Sequence, residues 1–142
     1  MKKTLALAAA LFASGSALAI DTTGLWQGPC QTRGDVSVKF RYQFIQNDDS
    51  TGVIKKEKQY FFDKNCTEWH KVNQKDVAFA IGEEVSEGVH ELNVKVTPTV
   101  TLYNIVSINE YGQLVFADQA VREDAKRPQN LSSKDRIFNR IN

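Results

Sequence analysis

The chain has 142 residues, 18 lysines and arginines against 17 aspartates and glutamates, and a formal net charge of +1 at pH 7. That near balance excludes the strong basic excess on which nucleic-acid binding depends, and the length fits one domain around a single core. Two cysteines and two histidines are thin material for a metal centre, since structural zinc takes four ligands.

The first nineteen residues, MKKTLALAAALFASGSALA, place Lys2 and Lys3 ahead of an apolar run from Leu5 to Phe12 and close on the small-x-small Ala17-Leu18-Ala19. This is the pattern of a signal peptide cleaved after Ala19. The apolar run is about half of the roughly 20 residues a membrane span needs, and Ser14, Gly15 and Ser16 interrupt it. No cysteine follows the cleavage point, so no lipid attachment is indicated. Residues 20–142 therefore read as one exported domain, periplasmic or secreted, with 16 basic and 17 acidic residues. In such an oxidising compartment a Cys30–Cys66 disulfide is the default. Closing a loop of that length is worth roughly 3 to 4 kcal/mol on the chain-entropy picture.

GLWQGPCQTR, Gly24 to Arg33, opens the folded part and reads as a first strand. From Val36 to Phe44 the residues Val36, Val38, Phe40, Tyr42 and Phe44 alternate with polar ones, the period of a strand with one buried face. Asn47 to Gly52 is a cluster of turn formers, so the segment Gly52 to Phe62 returns as the second arm of a hairpin. There Ile54, Tyr60 and Phe62 share a face with Lys56 and Lys58, while Lys55, Glu57 and Gln59 point away. Asp63-Lys64-Asn65 supplies a turn just ahead of Cys66. Val77, Phe79 and Ile81 alternate with alanines up to Gly82, and His90, Leu92, Val94 and Val96 alternate with polar residues up to Pro98. A β-branched run from Val100 to Ile108 turns at Tyr111-Gly112 and returns as Leu114 to Val121. Glu123 to Ser133 is polar, contains Pro128 and reads as a loop. At the end, Ser-Ser-Lys-Asp can cap a short helix, but Ile137, Phe138 and Ile141 suit a final strand, which also secures a chain terminus; the strand is the favoured reading.

Consecutive short strands with short connections predict an all-β domain, an antiparallel up-and-down barrel of about eight or nine strands, because closure removes the exposed edges of an open sheet. A two-sheet sandwich is the rival architecture.

Gly24-Leu25-Trp26 resembles the G-x-W opening of the lipocalin and calycin barrels. The resemblance implies that Trp26 closes the barrel floor and that an arginine of the last strand packs across it, Arg136 or Arg140, with Arg140 preferred. The order of tryptophan, cysteine, YFFDKNC, RPQNL and a closing FNR is also similar to small secreted proteobacterial proteins of lipocalin-like shape. The chain is shorter than the larger lipocalins and lacks their long helix before the final strand. A squat barrel with large inward side chains fills itself, which argues against a deep ligand cavity.

Catalytic chemistry finds little purchase. His70 and His90 would need the fold to unite them with Glu68, Glu83 or Glu91, there is no G-x-S-x-G, and both thiols are expected in the bridge. Asp48-Asp49 and Glu83-Glu84 fall in turns, and NDDSTG lacks the length and closing glutamate of a calcium loop. No cofactor or metal is expected. Tyr42, Phe44, Tyr60, Phe62 and Tyr103 are the candidates for lining an apolar pocket, their ordinary alternative being plain core. The lysine-rich Lys55 to Lys58 either meets an anionic lipid or is a solvated, edge-protecting strand face. The expectation is a non-enzymatic exported binding protein for a small hydrophobic ligand. The alternative is an interaction module, an inhibitor or accessory subunit of an envelope protein, working through its loops or the aromatic surface at Trp69.

Overall fold

The computed structural model describes residues 20–141; the leader expected over residues 1–19 lies outside the described residues. Nine strands follow one another: β1 (Gly24–Gln27), β2 (Gln31–Arg33), β3 (Val36–Gln46), β4 (Thr51–Phe61), β5 (Trp69–Ser86), β6 (Val89–Thr97), β7 (Val100–Ile108), β8 (Leu114–Phe116) and β9 (Ile137–Ile141). From β2 to β9 each strand pairs antiparallel with the next. The sheet closes because β1 pairs with β9 on one side and with β3 on the other, giving an eight-stranded barrel with β2 as an extra strand. Closure satisfies the backbone groups that two open edges would leave unpaired.

The opening segment, expected as one strand, is split at Gly28-Pro29-Cys30. β1 lies along Arg41–Phe44 of β3 and β2 along Val36–Val38, with Gly28 N–H donating to the Phe40 carbonyl at 2.9 Å between them. The hairpin of β3 and β4 forms as its alternation predicts, in a register that sets Tyr42 opposite Lys56 and Phe44 opposite Ile54. Gly52 in this hairpin has no room for a side chain, since a Cβ there would stand 2.1 Å from the Ile45 carbonyl oxygen.

β5 is longer than its apolar half suggested. Trp69 to Asp76 lacks buried alternation, yet β4 carries it by pairing along its length. β8 is shorter than expected. Past Phe116 the Ala117 N–H turns to the Asn104 side-chain oxygen at 3.3 Å, and the chain next meets the barrel where Val121 pairs with Tyr103. The Ser132 hydroxyl accepts from the Lys134 and Arg136 N–H groups, so the Ser-Ser-Lys-Asp stretch is a turn that delivers the chain into β9.

One end of the barrel is packed solid. Trp26, Phe44, Ile54, Phe79, Leu92, Val106, Leu114, Phe116 and Phe138 form its core, with Phe44 and Phe79 ring centres 5.1 Å apart and Phe116 edge-on to Phe138 at 5.4 Å. The Trp26 indole is fully buried, donates to the Thr22 carbonyl at 2.8 Å and lies under the Arg140 guanidinium at 4.2 Å. Arg140, rather than Arg136, is thus the stacked arginine. It also donates to the Thr23 carbonyl at 2.8 Å. Toward the opposite end of β3, the Cys30–Cys66 disulfide ties the β1–β2 link to the β4–β5 loop.

Candidate functional site

Alternation puts every second residue of each strand inside the barrel, and the inward positions change character along its axis. Beyond the packed floor lies a half-open cavity of about 390 Å³. Its walls are Phe44 of β3, Ile54 of β4, Leu92 and Val94 of β6, Leu102 of β7 and Phe116 of β8. Its polar groups are Tyr42, Lys56, Asn104, Asp118, Gln119 and Arg136. The wall between β7 and β9 is completed on this side by the segment from Ala117 to Ala120, whose alanines take little of the space. The volume lies within the roughly 300–1,000 Å³ of small-molecule sites, and apolar walls with a few polar groups are their usual make-up.

The polar groups interact with one another. Tyr42 is stacked on Phe138 at 4.8 Å, and burial pushes its phenol above the usual tyrosine range while the nearby Arg136 charge draws it part of the way back. Lys56 Nζ lies 5.6 Å from the Tyr42 ring centre. Burial, and after it the like charges of Lys75 and Arg136, hold the Lys56 ammonium below the usual lysine range. Arg136 rests on the Phe40 ring at 5.0 Å and donates through Nε to the Asp118 carbonyl at 3.5 Å, while its Nη1 is buried without a hydrogen-bond partner.

Of the residues expected to line a pocket, Tyr42 and Phe44 do so. Tyr60 shares the inward face of β4 but lies outside the cavity lining, its ring 5.2 Å from both the Lys58 and Lys71 ammoniums. Phe62 is 59% exposed and packs on His70 at 4.2 Å. β4 ends at Phe61, which is buried with its ring 6.1 Å from that of Trp69, and Phe62 N–H turns out to the Glu68 carbonyl at 2.8 Å. Tyr103 falls between the inward Leu102 and Asn104, so it faces outward, where the Arg127 guanidinium covers it at 5.2 Å. Among the lining residues that sequence reasoning missed are Ile54, Lys56, Leu92, Val94, Leu102, Asn104, Phe116 and Asp118. Phase alone would have reached Leu92 and Val94, which alternate cleanly. Arg136, the other arginine that could cover Trp26, lines the cavity instead.

The titratable residues outside the cavity organise loops. Asp48 accepts from the N–H groups of Ser50 at 2.8 Å and Thr51 at 2.7 Å, which holds its carboxyl below the usual range and fixes the NDDSTG turn. Asp63 does the same for the Cys66 loop. It accepts from the Thr67 hydroxyl and from the Glu68 N–H at 2.9 Å, and its pKa falls to about 2. These bonds support Cys66 in a left-handed conformation, φ 58°, that non-glycine residues seldom adopt. His70 is exposed near the start of β5, whereas buried His90 pairs with Glu84 near its end. On the order of 40 Å of strand separates the two sites at about 3.3 Å per residue. Among the described residues no cluster of three histidine, cysteine or acidic side chains is placed to hold a metal ion.

The molecule is thus a closed eight-stranded antiparallel barrel, consistent with a calycin-like fold, with a filled floor and a half-open cavity. Comparison with known protein families, curated proteins and solved structures finds no match for the chain, and its architecture rests on strand order and closure.

Proposed function

We propose that this chain is an exported, lipocalin-like binding protein that carries a small, largely hydrophobic molecule in its barrel, and that it acts by binding rather than catalysis. The observation that carries the reading is the cavity of about 390 Å³ walled by Phe44, Ile54, Leu92, Val94, Leu102 and Phe116. An interior lined this way loses little on dehydration, so an apolar body entering it gains the burial of its own surface, roughly 25 cal/mol per Å² before the costs of association. The test is saturable, one-to-one binding of an uncharged fluorescent probe such as N-phenylnaphthylamine, with Val94→Trp as the variant that plugs the cavity. Saturable enhancement lost in the plugged variant supports the reading; no enhancement in the wild-type chain overturns it.

A second reading draws on a different surface. Trp69 is 55% exposed beside the Phe62–His70 pair, next to the loop held by the disulfide. Aromatic side chains on a rigid support are effective anchors for a protein partner. An envelope protein captured by the wild-type chain and lost with Trp69→Ser, with probe binding unchanged, would favour this reading over the first.

A further inference from the structure

Strand alternation sorts the lysine-rich hairpin by face. Lys55 and Glu57 point outward; Lys56, Lys58 and Tyr60 occupy the same face as Ile54, which lines the cavity. On β5 the inward series Ile81, Phe79, Val77 continues as Lys75, Asn73, Lys71. The register sets Lys75 directly opposite Lys56 and Lys71 opposite Tyr60. Arg136 joins them from the turn before β9. Lys56, Lys58, Lys71 and Lys75 thus share one face of β4 and β5, and Lys56 and Arg136 line the cavity, where Asp118 is the sole carboxylate in the lining.

Neither pairing nor edge protection accounts for this. Among the described residues the ion pairs join Lys126 to Glu123 and Arg127 to Glu91 and Asp124; none engages these lysines or Arg136. Lysine does guard exposed strand edges, and the first half of β5 pairs on only one side, so Lys71 and Lys75 could be so explained. β4 is paired on both sides and has no edge to guard. Two lysines in direct cross-strand register repel each other, at a cost of some tenths of a kcal/mol, and here one of them is half-buried. Burial first, and after it the like charges of Lys75 and Arg136, depress the affinity of Lys56 for its proton.

The geometry points to an amphiphile with an acidic head as the occupant: a hydrocarbon body among Phe44, Leu92 and Phe116, and an oxyanion held between Lys56 and Arg136, with Lys58, Lys71 and Lys75 drawing it in. This rests on the binding function proposed above and names the chemistry of its ligand. The oxyanion supplies an acceptor for the orphaned Arg136 Nη1 and offsets the repulsion between Lys56 and its neighbours. Hydrogen bonds between ionised partners are about twice as strong as neutral ones. Tyr42 lines the same cavity, and burial keeps its phenol protonated.

The experiment displaces the uncharged probe with decanoate, decyl phosphate, decanol and decyltrimethylammonium, each below its micelle concentration, from the wild-type chain and from Lys56→Gln/Arg136→Gln. The acids are expected to bind at least tenfold more tightly than decanol, and the cation more weakly than either. In the double variant the advantage of the acids over decanol should disappear. The rank of decanoate against decyl phosphate separates a free carboxylic acid from a phosphate-headed lipid as the source of the anion. Should the variant fail to fold, the wild-type chain alone decides: acid affinity should weaken as salt rises from low to physiological strength, with decanol unaffected. Equal binding of acid and alcohol, or a preference that survives the double substitution, overturns the inference and leaves the binding function standing. Failure of the uncharged probe itself to bind overturns both.

Discussion

Gly24 is expected to be coupled to Arg140 through the floor of the barrel. It has φ +146°, a region open in practice only to glycine, and a Cβ built on it would lie 2.2 Å from Arg140 Nη1. Gly24→Ala therefore acts twice. The backbone cost of an alanine held there is about 1–3 kcal/mol. The methyl also expels the guanidinium from its place over Trp26 and from the Thr23 carbonyl. For an exposed arginine the stacking is worth about 0.5–1 kcal/mol and the hydrogen bond about 1 kcal/mol. Arg140→Ala alone should then cost about 1.5–2 kcal/mol, and Gly24→Ala about 2.5–5 kcal/mol by the same two contributions. In the double variant the second contribution can be lost only once. Urea unfolding followed by far-ultraviolet circular dichroism on the four proteins should return a coupling energy of about 1.5–2 kcal/mol. Additivity within about 0.5 kcal/mol, the usual scatter for independent sites, would refute the contact as the reason for glycine at this position.

Three further outcomes are expected. Replacing both Cys30 and Cys66 by alanine releases a loop of sequence separation 36 and should lower unfolding free energy by about 3.8 kcal/mol on the chain-entropy relation, read from the urea midpoint at constant slope. The folded pKa of Asp63, about 2, lies below its unfolded value. Its contribution to stability is thus present above pH ~4 and lost as pH falls toward 2, so Asp63→Asn should flatten the acid limb of the stability–pH curve, and an unchanged limb would count against the loop's hydrogen bonds as the cause. Arg127 is almost wholly buried, donating to the Asn104 carbonyl and to Asp124, each at 2.8 Å, with Glu91 at 3.7 Å. Arg127→Ala should cost about 2–3 kcal/mol through the charged hydrogen bonds it removes and bring limited proteolysis to the Ala117–Arg136 connection.

The architecture could be read from local pattern because a period of two is a property of neighbours in sequence. Val36 to Phe44 and His90 to Val96 declare an inner and an outer face without reference to any partner, and a succession of such segments has to close or hide its edges. The choice of Arg140 over Arg136 and the joining of Cys30 to Cys66 also followed expectation, each resting on one residue meeting another at the two ends of the chain or of a loop.

The cavity was legible only in part, and the reason lies in what sits outside each strand. Along Val100–Ile108 the outer face, Thr101, Tyr103, Ile105 and Ser107, mixes polar with apolar residues, since the connection anchored by Arg127 covers it and buries Ile105. With Asn104 on the inner face as well, polarity does not separate the two sides, and Tyr103, expected inward, points out. Phe62, expected to continue the inward face, turns out because β4 ends one residue before it and its N–H leaves for the Glu68 carbonyl. Trp69 to Asp76 is a strand by virtue of β4 alone, and its lysines take their meaning from the lysines across the ladder. Whether an inward position is filled or left open depends on where the wall bends, and here the Asn104 side chain decides it by capturing the Ala117 N–H and ending β8 after three residues. The sequence by itself determined a curled sheet sealed at an indole; the pairing of strands in space decided that a cavity lies beyond it, with Lys56 and Arg136 in its lining.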